Sequence, residues 1–157
     1  MSSTTRSLFS YLPPTSICLA TLVGCLEVLP FGLGGLVSPK DFAIGYGLPL
    51  APPHRGHPGA NGAQTDDEDP DSELQKTQKA LVQAIAARNI QNGVLILGFA
   101  WFWRDRRALG TVVSCGLITT IADTLLVRWY GVQGAIWGHF VGIANSLLIG
   151  GSLLYWM

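Results

Sequence analysis

The chain has 157 residues, of which 48% are hydrophobic and only 13% are charged, and its mean hydropathy is +0.35. This composition is too apolar and too poor in charge for a soluble domain of the same length. The formal net charge is zero, with ten Lys and Arg against ten Asp and Glu, so no overall field attracts nucleic acid. Composition therefore predicts an integral membrane protein and excludes one that binds nucleic acid.

Four stretches of the chain are long and apolar enough to cross a bilayer as helices, which takes roughly 20 residues each. They lie at about residues 14–37, 79–103, 107–127 and 134–156. Arg6 precedes the first stretch as a signal peptide's cation would, but three further spans favour a retained helix. The sequence predicts an all-α fold, a single membrane domain built as a bundle of four transmembrane helices.

The segment from Ser38 to Tyr46 is predicted to be a short interfacial helix between the first two spans. A serine followed by a proline is a favoured helix start, and the glycines at its end favour a stop. Phe42 and Tyr46 are four residues apart, so they lie on one face and are the predicted anchors in the membrane interface.

The two connections on either side of the second span have opposite characters. Residues 49–73 are rich in Pro and Gly and then strongly acidic, which predicts a flexible loop. Residues 104–107 form a tight connection with three arginines, which favours the cytoplasmic side for this connection and for both termini. We expect the protein in an internal membrane such as the endoplasmic reticulum, surrounded by membrane lipid.

Cysteine and histidine positions do not indicate a metal site or a disulfide framework. All three cysteines lie inside apolar runs, and no Cys or His pair has the spacing of metal ligands. No metal and no cofactor is therefore predicted.

A stripe of small residues follows one face of the fourth span. Its members recur every four residues and are Gly134, Gly138, Gly142, Ser146 and Gly150. Such a face lets another helix backbone approach closely. The stripe is interpreted as packing within the bundle, and the alternative is a homodimer through Gly134, Gly138 and Gly142.

Each span carries one ionisable side chain well inside its apolar stretch: Glu27, Arg88, Asp123 and His139. Counted at about 1.5 Å per residue, all four lie in the half of the bilayer that carries the acidic loop. Ionisable groups in a membrane are costly and usually face the bundle interior or a cavity. The sequence therefore predicts one shared pocket, with Asn89, Asn92 and Asn145 as polar neighbours that bind substrate.

The sequence is also compatible with purely structural roles for these residues. Arg88 could pair with Asp123 or Glu27 only to hold the helices together. Asp123 could instead extend to the membrane surface or pair with Arg128, and His139 could be a hydrogen-bonded packing residue. As catalytic residues, two carboxyls, an arginine and a histidine suit acid and base chemistry on a lipophilic small molecule. One carboxyl would donate a proton while the other activates water, a division that suits opening a strained ring oxygen.

Several motifs resemble those of a known family. They are SPKDFAIGYGLP after the first span, IAARNIQNGVLIL in the second, RDRRALG before the third, IADTLLV within it, and GH early in the fourth. In this order they resemble the family of small four-helix membrane proteins known as domain-of-unknown-function family 4267. The resemblance covers nearly all of the chain except the acidic loop, which has the character of an insertion.

The resemblance implies a function as well as a fold. Some fungal relatives belong to polyketide pathways and are regarded as hydrolases that open epoxides on the way to cyclic ethers. On that basis Arg88, Asn89, Asp123 and His139 are the motif positions that fall in the predicted pocket, whereas Glu27 comes from the residues alone. The expected function is a membrane-embedded epoxide hydrolase of secondary metabolism. The alternative is a non-catalytic accessory subunit or small carrier whose buried polar residues are structural.

Overall fold

The computed structural model describes residues 14–50 and 70–155. The described chain is all helical, and four of its five helices are long and apolar enough to cross a membrane, which confirms the predicted fold class. The helices are α1 (Thr15–Val37), α2 (Pro39–Tyr46), α3 (Pro70–Leu97, continued by a π-helical turn at Gly98–Phe102), α4 (Arg106–Tyr130) and α5 (Ile136–Tyr155). Most of the predicted acidic loop, residues 51–69, lies outside the described residues.

The four long helices run alternately up and down, and polar contacts hold both ends of the bundle. At one end, here called the arginine end, the Arg106 guanidinium donates to the Ser152 carbonyl at 3.0 Å. At the opposite end, called the loop end, the Val132 amide donates to the Gly47 carbonyl at 2.8 Å. The second contact ties the segment that follows α2 to the connection between α4 and α5.

An apolar core fills the arginine half of the bundle. Its buried members come from all four long helices and are Ala20, Ile96, Ala100, Leu109, Val113, Ile149 and Leu153. Each of these side chains is nearly inaccessible, so this half holds the helices together by close packing. The buried charged and amide side chains, Asp123 and Asn89, lie nearer the loop end.

The middle of α1 is widened into a π-helical segment at Glu27–Leu33, and Pro30 lies inside it. Proline has no amide hydrogen and its ring collides with the preceding turn, so an ordinary α-helix cannot pass through it undisturbed. The wider π turn accommodates the proline, and such segments occur often at functional sites. Glu27 is the first residue of the widened segment.

Glycines allow α1 and α3 to approach closely beside this segment. A Cβ atom at Gly93 would lie 2.7 Å from the Gly24 carbonyl oxygen and 2.9 Å from the Glu27 Cβ. Gly32 packs in the same way against the Ile90 side chain. Because Gly93 has no side chain, α1 and α3 can approach closely, and Glu27 lies directly against α3.

Replacing Gly93 by alanine is expected to destabilise the bundle by about 1–3 kcal/mol, because the added methyl group meets the backbone of α1. The measurement is the melting temperature in detergent. The matched control is Gly151→Ala, where an added Cβ has nothing within 4 Å, so that variant should be as stable as the original or slightly more so. Equal melting temperatures for the two variants would show that α1 and α3 do not pack in this way.

Helix α2 lies across the loop end and faces inward. Pro39 occupies its first turn and Gly47 ends it with a φ of 92°, a conformation that favours glycine. Phe42 and Tyr46, the predicted interfacial anchors, are half-buried against the bundle, and their place in the membrane interface stays a prediction. Their rings contact each other with centroids 5.5 Å apart and line a cavity inside the bundle. The exposed apolar side chain of α2 is Ile44.

The small-residue stripe of α5 is used partly within the molecule. Gly150 packs against Ser114 of α4, and a Cβ at Gly142 would lie 2.9 Å from the Thr120 methyl group. Gly134 and Gly138 have open space instead, and Gly138 borders the same cavity as α2. Close packing between α4 and α5 therefore accounts for the stripe from Gly142 onward, and the homodimer stays a prediction.

Candidate functional site

Arg88 of α3 and Asp123 of α4 form a two-pronged ion pair. Arg88 Nη1 donates to Asp123 Oδ1 at 3.2 Å, and Arg88 Nη2 donates to Oδ2 at 2.8 Å. Asp123 is buried, with 8% of its surface exposed. The planar guanidinium and the carboxylate match in shape, so this pairing fixes both side chains.

The structure decides between the open pairings of these residues. Asp123 does not extend to the membrane surface or pair with Arg128, which is exposed at the end of α4. Arg88 pairs with Asp123 rather than with Glu27. The reason is geometric: Arg88 and Asp123 are level with each other across the contact between α3 and α4, and a fork of two hydrogen bonds forms there.

Glu27 lies close to this pair but is not bonded to it. Its carboxyl interacts electrostatically with Arg88 and Asp123, and burial surrounds most of it with apolar groups. Within residues 14–50 and 70–155 it forms no hydrogen bond or ion pair. The two carboxyls thus have unlike surroundings, since one is paired with a cation and the other is not.

Two cavities meet at these side chains. The first, called the loop-end cavity, has a volume of about 420 Å³ and lies under α2 between α1 and α5. The second, called the α3–α4 cleft, has a volume of about 310 Å³ and extends toward the arginine end. Four residues border both cavities: Glu27, Asn89, Thr120 and Asp123. Both carboxyls can therefore be reached from either cavity.

His139 and Tyr46 lie together in the loop-end cavity. His139 Nε2 is 3.2 Å from the Tyr46 carbonyl oxygen, and the two rings meet edge to face with centroids 4.9 Å apart. When Nε2 carries the proton it donates to this carbonyl, and Nδ1 is left as an acceptor. The contact joins α5 to α2 and orients the imidazole ring.

The Tyr46 hydroxyl is buried beside the Arg88–Asp123 pair and lies close enough to interact with the Asp123 carboxylate, although no acceptor among the described residues has full hydrogen-bond geometry with it. Burial raises the pKa of Tyr46, and the Asp123 carboxylate raises it further, so the hydroxyl keeps its proton. The hydroxyl can therefore donate either to Asp123 or to a molecule in the loop-end cavity, which Tyr46 also borders.

The three predicted substrate-binding asparagines have different positions. Asn89 borders both cavities, and its Nδ2 donates to the Phe31 carbonyl in the π-helical segment at 3.4 Å. Asn92 lines the α3–α4 cleft. Asn145 is exposed on α5 and borders neither cavity, because the next residue, Ser146, is the one that faces α4. The structure therefore does not bring Asn145 to the site.

The four predicted ionisable residues are arranged around the two adjoining cavities. Glu27 and Asp123 border both, Arg88 borders the cleft and His139 borders the loop-end cavity. Their catalytic roles stay predictions. Tyr46 was not predicted as a site residue, although its four-residue spacing from Phe42 indicated that the two rings share a face. Which way that face points depends on how α2 packs.

The fold and site define a class: a multi-pass membrane protein of four helices with a partly buried ion pair and, among the described residues, an unpaired carboxyl between two cavities. A family model described as "Domain of unknown function (DUF4267)" matches residues 25–153. The match covers most of the chain and all four ionisable residues, so the protein belongs to this family. No curated protein and no solved structure matches the chain.

Proposed function

We propose that this protein is a membrane-embedded hydrolase that opens an epoxide of a hydrophobic polyketide intermediate in fungal secondary metabolism. The observation that carries the proposal is the pair of carboxyls that face the same cavity with unlike partners. Asp123 is paired with Arg88, whereas no cation of the described ranges is bonded to Glu27. Acid–base catalysis needs such a pair, one group to accept a proton and one to donate it.

In the proposed reaction Asp123 is the base and Glu27 the acid. Asp123 takes a proton from water, the water oxygen bonds to a ring carbon, and the bond from that carbon to the ring oxygen breaks. The ring oxygen takes its proton from Glu27, and the product is a diol. The proton on Asp123 then returns to Glu27, which restores both groups. Although Arg88 occupies both Asp123 oxygens, a carboxylate oxygen has a second acceptor position that can bind water.

Tyr46 and His139 are the groups suited to position the substrate in the loop-end cavity. The Tyr46 hydroxyl, which lies beside Asp123 without a fully formed hydrogen bond among the described residues, can donate to the epoxide oxygen alongside Glu27. His139 Nδ1, left as an acceptor by the contact of Nε2 with the Tyr46 carbonyl, can accept from a substrate hydroxyl. A polyketide carries such hydroxyl groups along an otherwise apolar chain.

The lining of the loop-end cavity favours a lipophilic substrate. Much of the wall is apolar or glycine, and Pro30, Phe31, Gly45 and Gly138 on this wall are exposed at the surface of the bundle. In a bilayer these exposed positions of α1 and α5 face lipid rather than water. A substrate dissolved in the membrane can therefore enter between α1 and α5 without crossing an aqueous phase.

One observation favours the alternative, a non-catalytic membrane protein. Arg88 and Asp123 neutralise each other's charge and meet each other's hydrogen-bonding needs. Joining α3 to α4 is therefore a sufficient role for such a pair. In a non-catalytic protein Glu27 would have no catalytic role either. Turnover of an epoxide by the protein would distinguish the hydrolase from the non-catalytic membrane protein.

The proposal is tested with sealed membranes that contain the protein and a panel of lipophilic epoxide probes, including stilbene oxide and squalene oxide, in heavy-oxygen water. The expected result is a diol that carries one heavy oxygen atom, formed faster than in membranes that contain Glu27→Gln protein. Equal rates in the two membranes across the whole panel would contradict the proposal and favour a structural role.

Replacing Tyr46 by phenylalanine is expected to slow the opening of a probe epoxide about tenfold to a hundredfold, because one donor to the developing oxyanion is lost. The ring packing against Phe42 and His139 is kept, so the melting temperature should not fall. The control is Tyr130→Phe, which removes an exposed hydroxyl at the end of α4. A Tyr46→Phe rate equal to that of the control would exclude a role in substrate binding.

A further inference from the structure

The α3–α4 cleft carries small polar side chains along its whole length, interspersed with apolar ones. Its uncharged polar members are Gln91, Asn92, Thr111, Thr119, Thr120 and Ser146, in addition to Asn89 and the ionisable residues at its inner end. Apart from Thr111, which lies near the start of α4, these residues come from the inner parts of their spans. A polar groove at this depth is unfavourable against hydrocarbon and occurs where water or another polar molecule fills it.

Two amide side chains in the cleft have no partner in the described protein. Gln91 and Asn92 both line it, and neither forms a hydrogen bond with any other residue in the described ranges. An amide group left without hydrogen bonds in an apolar medium is strongly unfavourable. Water in the cleft would satisfy both groups, and the volume of about 310 Å³ is enough for several water molecules.

The cleft also runs in the direction from which water can come. Thr111, at its outer end, is five residues from the first residue of α4, or roughly 8 Å along the helix axis. Beyond it lie the arginines of the 104–107 connection, which belong in the aqueous phase. At its inner end the cleft reaches Glu27 and Asp123 from the side of the arginine end, whereas the loop-end cavity reaches the same two residues from the loop end.

We propose that the α3–α4 cleft is a water-filled branch of the site, which supplies water from the arginine end to Asp123 and Glu27 while a lipophilic molecule occupies the loop-end cavity. This inference rests on the proposed function for its purpose, but the presence of water is independent of catalysis. Separate entry routes solve a physical problem, since a hydrolase inside a bilayer needs two reactants that do not mix.

The test is the reaction of single cysteines with a charged, membrane-impermeant methanethiosulfonate in sealed vesicles. The native Cys115 lines the cleft and serves as the first probe. Cys18 and Cys25 are replaced by alanine so that Cys115 is the single cysteine left. A second probe is Thr119→Cys without the native cysteines. The matched control is Ile118→Cys, which is adjacent in the chain, at similar depth, and 73% exposed without bordering the cleft.

Cys115 and Thr119→Cys are expected to react at least tenfold faster than Ile118→Cys, and only when the reagent is on the side of the arginine end. The label on Cys115 should also slow the opening of the probe epoxide, whereas the label on Ile118→Cys should not. Equal labelling of all three positions would overturn the inference, and so would labelling of Cys115 that leaves the rate unchanged in a protein that opens the probe epoxide. Labelling needs no turnover, so a failure of the hydrolase proposal would be seen separately.

Discussion

Replacement of Arg88 by leucine is expected to destabilise the bundle by about 3 kcal/mol, the lower end of the range for breaking a buried ion pair. The loss arises because the Asp123 carboxylate is left buried without its counter-ion. Of the two side chains, 11% of Asp123 but 37% of Arg88 is accessible, so part of the interaction is screened and the upper end of the range does not apply. The measurement is the unfolding free energy in detergent or bicelles.

The double variant Arg88→Leu, Asp123→Leu is the informative control. It removes both charges, so it should recover most of the stability lost in Arg88→Leu, whereas Arg128→Leu should change little because Arg128 is exposed. If the double variant were less stable than Arg88→Leu, the loss would come from packing of the arginine side chain and not from an unpaired carboxylate.

The second large effect is expected from Glu27→Gln, which should lower turnover of the epoxide by roughly 100-fold or more. Glutamine keeps the size and shape of the side chain but cannot donate a proton to the ring oxygen. Since Glu27 is not part of an ion pair in the described residues, this change should leave the melting temperature nearly unaltered. The rate is measured with the probe epoxides in sealed membranes.

Asp123→Asn provides a comparison for Glu27→Gln, and Glu73→Gln provides a control. Asp123→Asn should lose a similar factor in turnover but also some stability, because Arg88 loses its anionic partner. Glu73 is exposed, and its ion pair within the described residues is with Lys76 on its own helix, so Glu73→Gln should change neither turnover nor stability. A Glu27→Gln protein that turns over normally would remove Glu27 from the mechanism.

The fold could be predicted from the sequence because its signals are local. Helix length and apolar composition indicate four spans, and the proline and glycines around α2 indicate a short helix between two of them. The position of Arg88 in the same half of the bundle as Asp123 and Glu27 could be predicted from depth, since each residue adds a fixed rise along its helix, but depth left open which of the two carboxyls it pairs with. Depth and order along the chain are properties that a sequence pattern retains.

The remaining features depend on how helices rotate and pack, which no local pattern gives. Asn145 and Ser146 are neighbours, and only the rotation of α5 against α4 decides that Ser146 faces the cleft. Tyr46 points into the bundle because Gly47 turns the chain back onto the α4–α5 connection. The widened turn at Glu27 results from Pro30, whose effect on an otherwise continuous helix depends on its neighbours.

The metabolite profile of the producing strain tests whether Glu27 and Asp123 open an epoxide of a natural lipophilic substrate. Strains with Glu27→Gln or Asp123→Asn should accumulate an epoxide intermediate and lose its hydrolysed or cyclised product, while immunoblots show the protein at normal levels in the membrane. Normal product in both strains would contradict the account and leave the charged cluster as a structural element of the bundle.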